Sequence, residues 1–196
     1  MYDRFVKRIL DLILSIIGIV ILLPVWIIVP VLIKMDDGGS VFYLSPRIGK
    51  NSKKILMYKF RSMKVGSEDI RNADGSTYNS ADDPRVTKIG KVLRRTSIDE
   101  LPQLFNVLKG EMSIVGPRAG TWDMLETYKP DEIDKMKVHP GITGYCQAYY
   151  RNALPARDKR VMDAWYANRV SFGLDMKIIF KTISTVFKKD NLYTNR

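Results

Sequence analysis

The sequence predicts an α+β fold in which a small cytosolic domain is carried on an N-terminal membrane helix bent at a proline. Three observations support this expectation. Residues 12–33 are apolar and uncharged. The remainder alternates short strand-like runs with helical i, i+3, i+4, i+7 patterns, and 196 residues suffice for one sizeable core. The charged exit Lys34-Met35-Asp36-Asp37 sets the division into a membrane segment, 1–35, and a cytosolic domain, 36–196.

The apolar run reaches the length of a bilayer span, and no small-residue cleavage site follows it, as a signal peptide would require. Pro24 lies near its middle, so a kink is expected at Leu23-Pro24. Each half is then about a dozen residues, roughly 18 Å of helix, too short to cross. Arg4, Lys7 and Arg8 precede the run and the basic bulk of the chain follows it. A re-entrant helix leaves both basic flanks in the cytoplasm, whereas a crossing would violate the positive-inside rule on one side.

Val41 to Leu44 and Ile55 to Tyr58 read as two strands joined by a basic turn, a hairpin. Residues 66–85 form a long polar loop, the usual setting for a lid or functional segment. Thr87 to Arg95 and Leu101 to Lys109 read as helices, the second closed by Gly110. Ser113 to Arg118 is a short strand entering a tight turn, Trp122 to Lys137 a helical segment broken at Pro130, and Pro140 to Gly144 a rigid turn. Asp175 to Lys189 is an amphipathic helix with Met176, Ile179, Phe180, Ile183 and Phe187 on one face. That face suits either the core or, with the flanking lysines, an interfacial position on anionic lipid.

Lys and Arg number 32 against 21 Asp and Glu, a net charge of +11 that favours polyanionic partners. The single cysteine, Cys146, excludes an intramolecular disulfide and reads as a packing residue. There is no Cys/His zinc cluster, P-loop or dinucleotide fingerprint.

The chemistry is concentrated in Arg94-Arg95-Thr96-Ser97-Ile98-Asp99-Glu100-Leu101-Pro102-Gln103. Carboxylates supply a nucleophile and hard oxygen ligands for Mg²⁺, and arginines grip phosphate. Ser97-x-x-Glu100 also fits a capping box, with both acids structural. An N-cap at Ser97 or at Asp99 would put both carboxylates at a positive helix end, favouring their ionised form. Lys59, Arg61, Arg94, Arg95, Arg118 and Arg151 all fall beside turns or element ends, and as a set they support a diphosphate pocket. His139, the only histidine, suits either a phosphate contact or a satisfied turn position.

Residues 83–90 and 93–118, which contain this run, closely resemble the bacterial sugar transferases, the monotopic phosphoglycosyl transferases. Tyr58-Lys59-Phe60-Arg61-Ser62-Met63, Pro140-Gly141-Ile142-Thr143-Gly144 with Gln147, Arg151-Asn152 and Asp163-x-x-Tyr166 match in the same order. The resemblance implies a catalytic domain that transfers a sugar-1-phosphate from a UDP-sugar to polyprenyl phosphate, releasing UMP, with Mg²⁺ as cofactor. It implies Asp99 as nucleophile and metal ligand, forming an aspartyl phospho-sugar, with Glu100 assisting. Lys59, Arg94, Arg118, His139, Thr143 and Arg151 are the implied substrate-binding residues.

It further implies a re-entrant helix broken at Pro24, a bacterial plasma-membrane location with the catalytic domain on the cytoplasmic face, and contact with anionic lipid. No nucleic-acid partner is expected. Leu23-Pro24 departs from the family's usual Ser-Pro break, and Ala119, His139, Tyr145 and Cys146 depart from its usual residues around the pocket. The competing reading is a basic, membrane-anchored adaptor without catalysis, which would bind anionic lipid or nucleic acid.

Overall fold

The computed structural model describes residues 2–70, 78, 80, 82–150 and 153–188. Helices and small sheets mix as an α+β fold requires. After a π-helical turn at Tyr2–Val6, helix α1 (Lys7–Ile21) and helix α2 (Leu23–Asp37) meet at an angle of 63°. The break falls at Leu22 (φ −92°, ψ 16°), one residue before the predicted kink. Pro24 thereby occupies the first turn of α2, where its missing N–H leaves no bond unmade. Among the described residues no single helix is long and apolar enough to cross a membrane; the bent pair together passes that length and composition test.

The two helices are fastened to the rest of the chain through polar residues, buried on α1 (Lys7 and Asp11) and more open at the end of α2 (Asp36 and Asp37). Asp11 Oδ1 accepts from Ser113 Oγ at 3.0 Å and from the Ile114 N–H at 2.9 Å. Lys7 Nζ donates to Asp175 Oδ2 at 2.6 Å. Asp36 Oδ2 accepts the Ile89 N–H at 2.9 Å, supplying an end cap to the next helix. Asp37 pairs with Arg61, which also donates to the Ser40 carbonyl at 2.5 Å. Arg61 is therefore a structural fastening and not part of a phosphate-binding set.

Strands β1 (Phe42–Ile48) and β2 (Lys54–Phe60) form the predicted hairpin, antiparallel from Phe42↔Phe60 to Ile48↔Lys54. Helix α3 (Lys88–Thr96) is capped by Thr87, whose Oγ1 accepts the Gly90 N–H at 2.9 Å. It ends at Ser97 in the left-handed region (φ 59°, ψ 17°). A 3₁₀ turn at Ile98–Glu100 follows, and helix α4 (Gln103–Lys109) begins beyond Pro102. The capping box does not form: Ser97 makes no side-chain cap bond, because it closes the preceding helix instead of opening the next.

Arg8 donates to the last α4 carbonyls, Val107 at 2.5 Å and Leu108 at 2.9 Å, filling acceptors that a helix end leaves open. Asn106, fully buried, joins α4 to β2. Its Oδ1 accepts the Tyr58 N–H at 2.9 Å and its Nδ2 donates to the Leu56 carbonyl at 2.8 Å.

Strand β3 (Ser113–Val115) pairs in parallel with strand β4 (Gly141–Thr143), so the segment expected to be a rigid turn is a strand. Their glycines explain the pairing: a Cβ on Gly141 would lie 2.1 Å from the Gly116 nitrogen, so only hydrogen permits this approach. Residues 122–137 form two 3₁₀ turns, Trp122–Thr127 and Ile133–Lys137, instead of a longer helix. Helices α5 (Tyr145–Tyr149), α6 (Ala156–Ala167) and α7 (Phe172–Lys188) complete the chain.

On α7, Asp175 and Ile178 face the core, while Phe180 and Ile183 of the predicted apolar face stay 70% and 50% exposed. Core packing therefore accounts for only part of that face, through Ile179 against the cluster of Val115, Ala148, Tyr166 and Ile178.

Candidate active site

The sharp turn between α3 and α4 determines where the two acids lie. The left-handed Ser97 ends α3 and the 3₁₀ turn presents Asp99 and Glu100 between β2 and the segment after β3. Asp99 is 9% exposed. Among the described residues no hydrogen bond or ion pair engages its carboxylate. Glu100 takes the cations instead: Lys59 Nζ on β2 donates to its Oε1 at 2.7 Å, and an Arg118 guanidinium nitrogen lies 3.6 Å from the same oxygen.

The two carboxyls consequently titrate apart. Burial raises the Asp99 carboxyl above its ordinary range, and the neighbouring Glu100 charge adds to this against the pull of Lys59, Arg94 and Arg118. Burial acts on Glu100 in the same sense, but Lys59 and Arg118 outweigh it and hold that group at about 2. Placing both acids at a helix N-terminus, as the sequence suggested, would have favoured ionisation of both. The structure places them on a separate turn, where burial governs one and ion pairing the other.

Arg94, in the last turn of α3, is anchored by its Nε donating to Ser62 Oγ at 3.0 Å, and its charge reaches Asp99. Arg118 is positioned from below. Its backbone N–H donates to Asp163 Oδ2 at 3.1 Å, an oxygen also 3.2 Å from Lys135 Nζ. Asp163 and Lys135 are both buried, so the Gly116-Pro117-Arg118 turn rests on an interior ion pair. The side chain of Arg118 itself is 57% exposed and available to a ligand.

Beside Glu100 lies a small cleft lined by Arg47, Met57, Glu100, Gln103, Arg118, Ala119 and Gly141. Arg47 and Gln103 did not stand out in the sequence. Hairpin register and the backbone bridge Arg47↔Thr121 bring Arg47 there, and no local pattern in the sequence singled it out, since it lies beyond the strand expected over Val41 to Leu44.

Lys59, Arg94, Arg118, Asp99 and Glu100 are thus assembled as expected, but two expected members are not. Thr143 Oγ1 bonds Thr182 Oγ1 on α7 at 2.6 Å and is buried there, so helix packing uses the hydroxyl. His139 interacts with Lys50 and the Glu111 backbone, and burial and Lys50 lower its imidazole pKa. No contact among the described residues joins it to the dyad. Arg151 lies outside the described residues, as do residues 71–77, 79 and 81 of the 66–85 loop. The Cys146 thiol is pushed up to about 12 by burial and then by Asp163, which makes it inert at neutral pH.

A dry, unpaired carboxylate flanked by an ion-paired one and by cations is equipment for handling phosphate groups, here in a protein with a bent apolar helix pair. Comparison with known proteins agrees. The chain belongs to the bacterial sugar transferase family, whose profile matches residues 2–189.

It is 39% identical over 188 residues to the UDP-N-acetylgalactosamine-undecaprenyl-phosphate N-acetylgalactosaminephosphotransferase of Aeromonas hydrophila, covering 93% of this chain and 44% of that protein. It is 37% identical over 202 residues to the undecaprenyl-phosphate galactose phosphotransferase of Salmonella typhimurium, covering 97% and 42%. With the exopolysaccharide production protein ExoY of Rhizobium meliloti the identity is 38% over 191 residues, covering 92% and 84%. The chain therefore spans less than half the length of the first two relatives and most of the third.

Proposed function

We propose that this chain is a phosphoglycosyl transferase that moves a sugar-1-phosphate from a UDP-sugar to a polyprenyl phosphate such as undecaprenyl phosphate, releasing UMP. The reaction would be a membrane-committed step of glycan assembly. The observation that carries this reading is the split dyad, in which Asp99 lies unpaired among cations while Glu100 holds Lys59 at 2.7 Å.

An Asp99 oxygen attacks the sugar-linked phosphorus, and the bond from that phosphorus to the bridging oxygen breaks. UMP departs with the bridging oxygen, leaving an aspartyl phospho-sugar. An oxygen of the lipid phosphate then attacks the same phosphorus, the bond to Asp99 breaks, and the carboxylate is regenerated. Lys59 keeps Glu100 ionised and in place beside the nucleophile. Arg94 and Arg118 neutralise phosphoryl oxygens on either side. Splitting the transfer at a carboxylate avoids driving two phosphates directly together.

Mg²⁺ fits this donor set in one way only. Among the described residues no three His, Cys, Asp or Glu side chains cluster, so there is no protein cage for a metal. One or two carboxylates, with substrate phosphates and water completing the shell, is the usual Mg²⁺ arrangement, and Asp99 is the available ligand. Bound there, the ion would stabilise negative charge on the transferring phosphoryl group.

The bend at Leu22 and the exposed Ile13, Ile17, Val20, Ile27, Ile28 and Val31 support a re-entrant helix pair in one leaflet of the bacterial plasma membrane. Residues 36–196 would then lie on the cytoplasmic face, with Phe180 and Ile183 of α7 against anionic lipid. A basic adaptor would need the cations but has no use for a desolvated carboxylate among them.

The test is UMP release by detergent-solubilised protein given Mg²⁺, polyprenyl phosphate and a panel of UDP-sugars. Exchange of labelled UMP into UDP-sugar should proceed without lipid, and Asp99→Asn should abolish it. Exchange that survives this substitution refutes the covalent step.

A further inference from the structure

Directly across the hairpin from Lys59 stands Tyr43. Residues facing each other in an antiparallel pair send their side chains to the same side of the sheet. Here that side is the dyad's. Lys59 Nζ reaches Glu100, and Met57 and Arg47, further along the two strands in the same alternation, line the cleft. Ser45, the next residue of this set, is buried, whereas Tyr43 is 53% exposed. Among the described residues no hydrogen bond or ring contact engages the Tyr43 side chain.

The adjoining pair, Phe42 and Phe60, turns to the opposite side and ties the hairpin to the apolar helix. The two rings stack 5.5 Å apart, and Phe60 packs with Trp26, Val29 and Ile33 of α2. Arg61, next in the chain, is held by Asp37 and by the Ser40 carbonyl at the end of α2. Tyr43 therefore stands between α2 and the dyad, and Arg47 lies about 13 Å further along the strand. A tyrosine at such a boundary offers an apolar ring to hydrocarbon and a hydroxyl to the polar layer.

We infer that Tyr43 is an acceptor-binding residue, its ring covering the first isoprene units of polyprenyl phosphate as the lipid enters the site from the bilayer. This rests on the transfer reading proposed above. The two substrates differ at this point. The nucleotide sugar is polar throughout, while the acceptor carries an allylic hydrocarbon chain directly on its phosphate. A lipid phosphate that reaches Asp99 from the membrane leaves that chain on the α2 side of Lys59, where Tyr43 has uncovered aromatic surface. The contact is made in the second step only, when an oxygen of the lipid phosphate attacks phosphorus and the bond to Asp99 breaks. Tyr43 thus acts on acceptor affinity and not on formation of the aspartyl phospho-sugar.

The experiment uses the full chain in detergent and separates the two steps. Lipid-independent exchange of UMP into UDP-sugar reads the first, and transfer to polyprenyl phosphate reads both. Tyr43→Ala is expected to leave exchange within about twofold of the parent, which also shows that the variant is folded. It should raise the acceptor KM by about tenfold with kcat at saturating lipid little changed, as loss of an apolar ring contact predicts. Tyr43→Phe keeps the ring and should retain nearly the parent KM. Leu56→Ala, at an exposed position on the opposite side of the hairpin, should change neither reading.

An unchanged acceptor KM in Tyr43→Ala overturns the proposal. So does impaired exchange with a raised KM for UDP-sugar, the mark of a ring that stacks on the nucleobase. Flotation with vesicles of phosphatidylethanolamine and phosphatidylglycerol distinguishes substrate from bulk lipid. Loss of vesicle binding with the acceptor KM unchanged makes Tyr43 a bilayer contact and overturns it as well. Failure of the transfer reading shows separately, as a parent chain that gives neither exchange nor lipid-linked product.

Discussion

The indole Nε1 of Trp26 donates to the carbonyl of Ile19 at 3.0 Å, spanning the bend at Leu22 from the second helix back to the first. No backbone N–H among the described residues reaches that carbonyl, because the helix is interrupted three residues later. Leu23 has no hydroxyl with which to satisfy it, so the acceptor exposed by the break is closed by a side chain from beyond it. Trp26 also packs on Phe60 and Phe105, with ring centroids 5.5 and 5.2 Å away, which fixes the indole.

Trp26→Phe keeps most of the packing and removes the donor. The expected outcome is a loss of about 1 kcal/mol, the net worth of one hydrogen bond to a partly buried carbonyl, read as a lower unfolding midpoint in detergent. Amide exchange should accelerate around residues 19–26 and remain unchanged at the hairpin.

Dyad substitutions should change stability in opposite directions. Asp99 has a raised carboxyl pKa, so its contribution is most favourable in acid and is lost as pH rises through the folded value. Asp99→Asn is therefore expected to unfold at a higher temperature than the parent at pH 7, the gap closing toward pH 4. Glu100, held at about 2, stabilises above its ordinary 4.5 and loses that contribution as pH falls toward 2. Glu100→Gln should lower the midpoint at pH 7 by leaving Lys59 unpaired. Thermal unfolding of the three proteins across pH tests both signs.

The acid limb of activity follows from the same geometry. Attack needs the ionised Asp99, so UMP exchange should fall as pH drops through a value above the usual 3.8. Lys59→Met removes a positive charge that opposes protonation and should move this limb further upward. A pH–rate profile of the lipid-independent exchange measures the shift directly.

Asp163→Asn is expected to destabilise the chain by about 3–5 kcal/mol, since it leaves the buried Lys135 uncompensated. Pairing it with Lys135→Met should recover part of the stability. It should not recover full transfer activity, because the carboxylate also accepts the Arg118 N–H. Unfolding midpoints and UMP release on the two single variants and the double variant separate the two effects.

Gly141→Ala should separate β3 from β4, since the new methyl would lie 2.1 Å from the Gly116 nitrogen and 2.3 Å from the Thr143 carbonyl oxygen. Because that pair of strands carries the turn bearing Arg118, loss of UMP binding is expected together with loss of stability.

Much of this arrangement could be read from local signals. The hairpin, helices α3 and α4 and the break near Pro24 follow from alternation, periodicity and proline chemistry, which act over a few residues. The carboxylate pair fitted a structural cap as well as a catalytic role, and the cations set around it, with the family resemblance, decided between them. What could not be read depended on contacts between distant segments. Ser97 had two possible roles, and the choice of ending α3 over capping α4 was set by packing on both sides. Thr143 looked like a ligand contact until α7 supplied Thr182. Arg61 looked like one more phosphate cation until Asp37 arrived from the end of α2. Arg47 and Gln103 gave no signal, because their setting is created by register and by the approach of the Arg118 turn.

Asp11, Lys7 and Arg8 bind the first helix to β3, α7 and the end of α4; the first two bonds are buried and the third is partly so. The apolar segment is consequently a structural member of the fold and not a removable tether. Trimming the first thirty-odd residues to obtain a water-soluble fragment would uncover Asp175, strip the cap from α4 and release the strand that leads to Arg118. Replacing them with an unrelated anchor would restore attachment to lipid without restoring the scaffold.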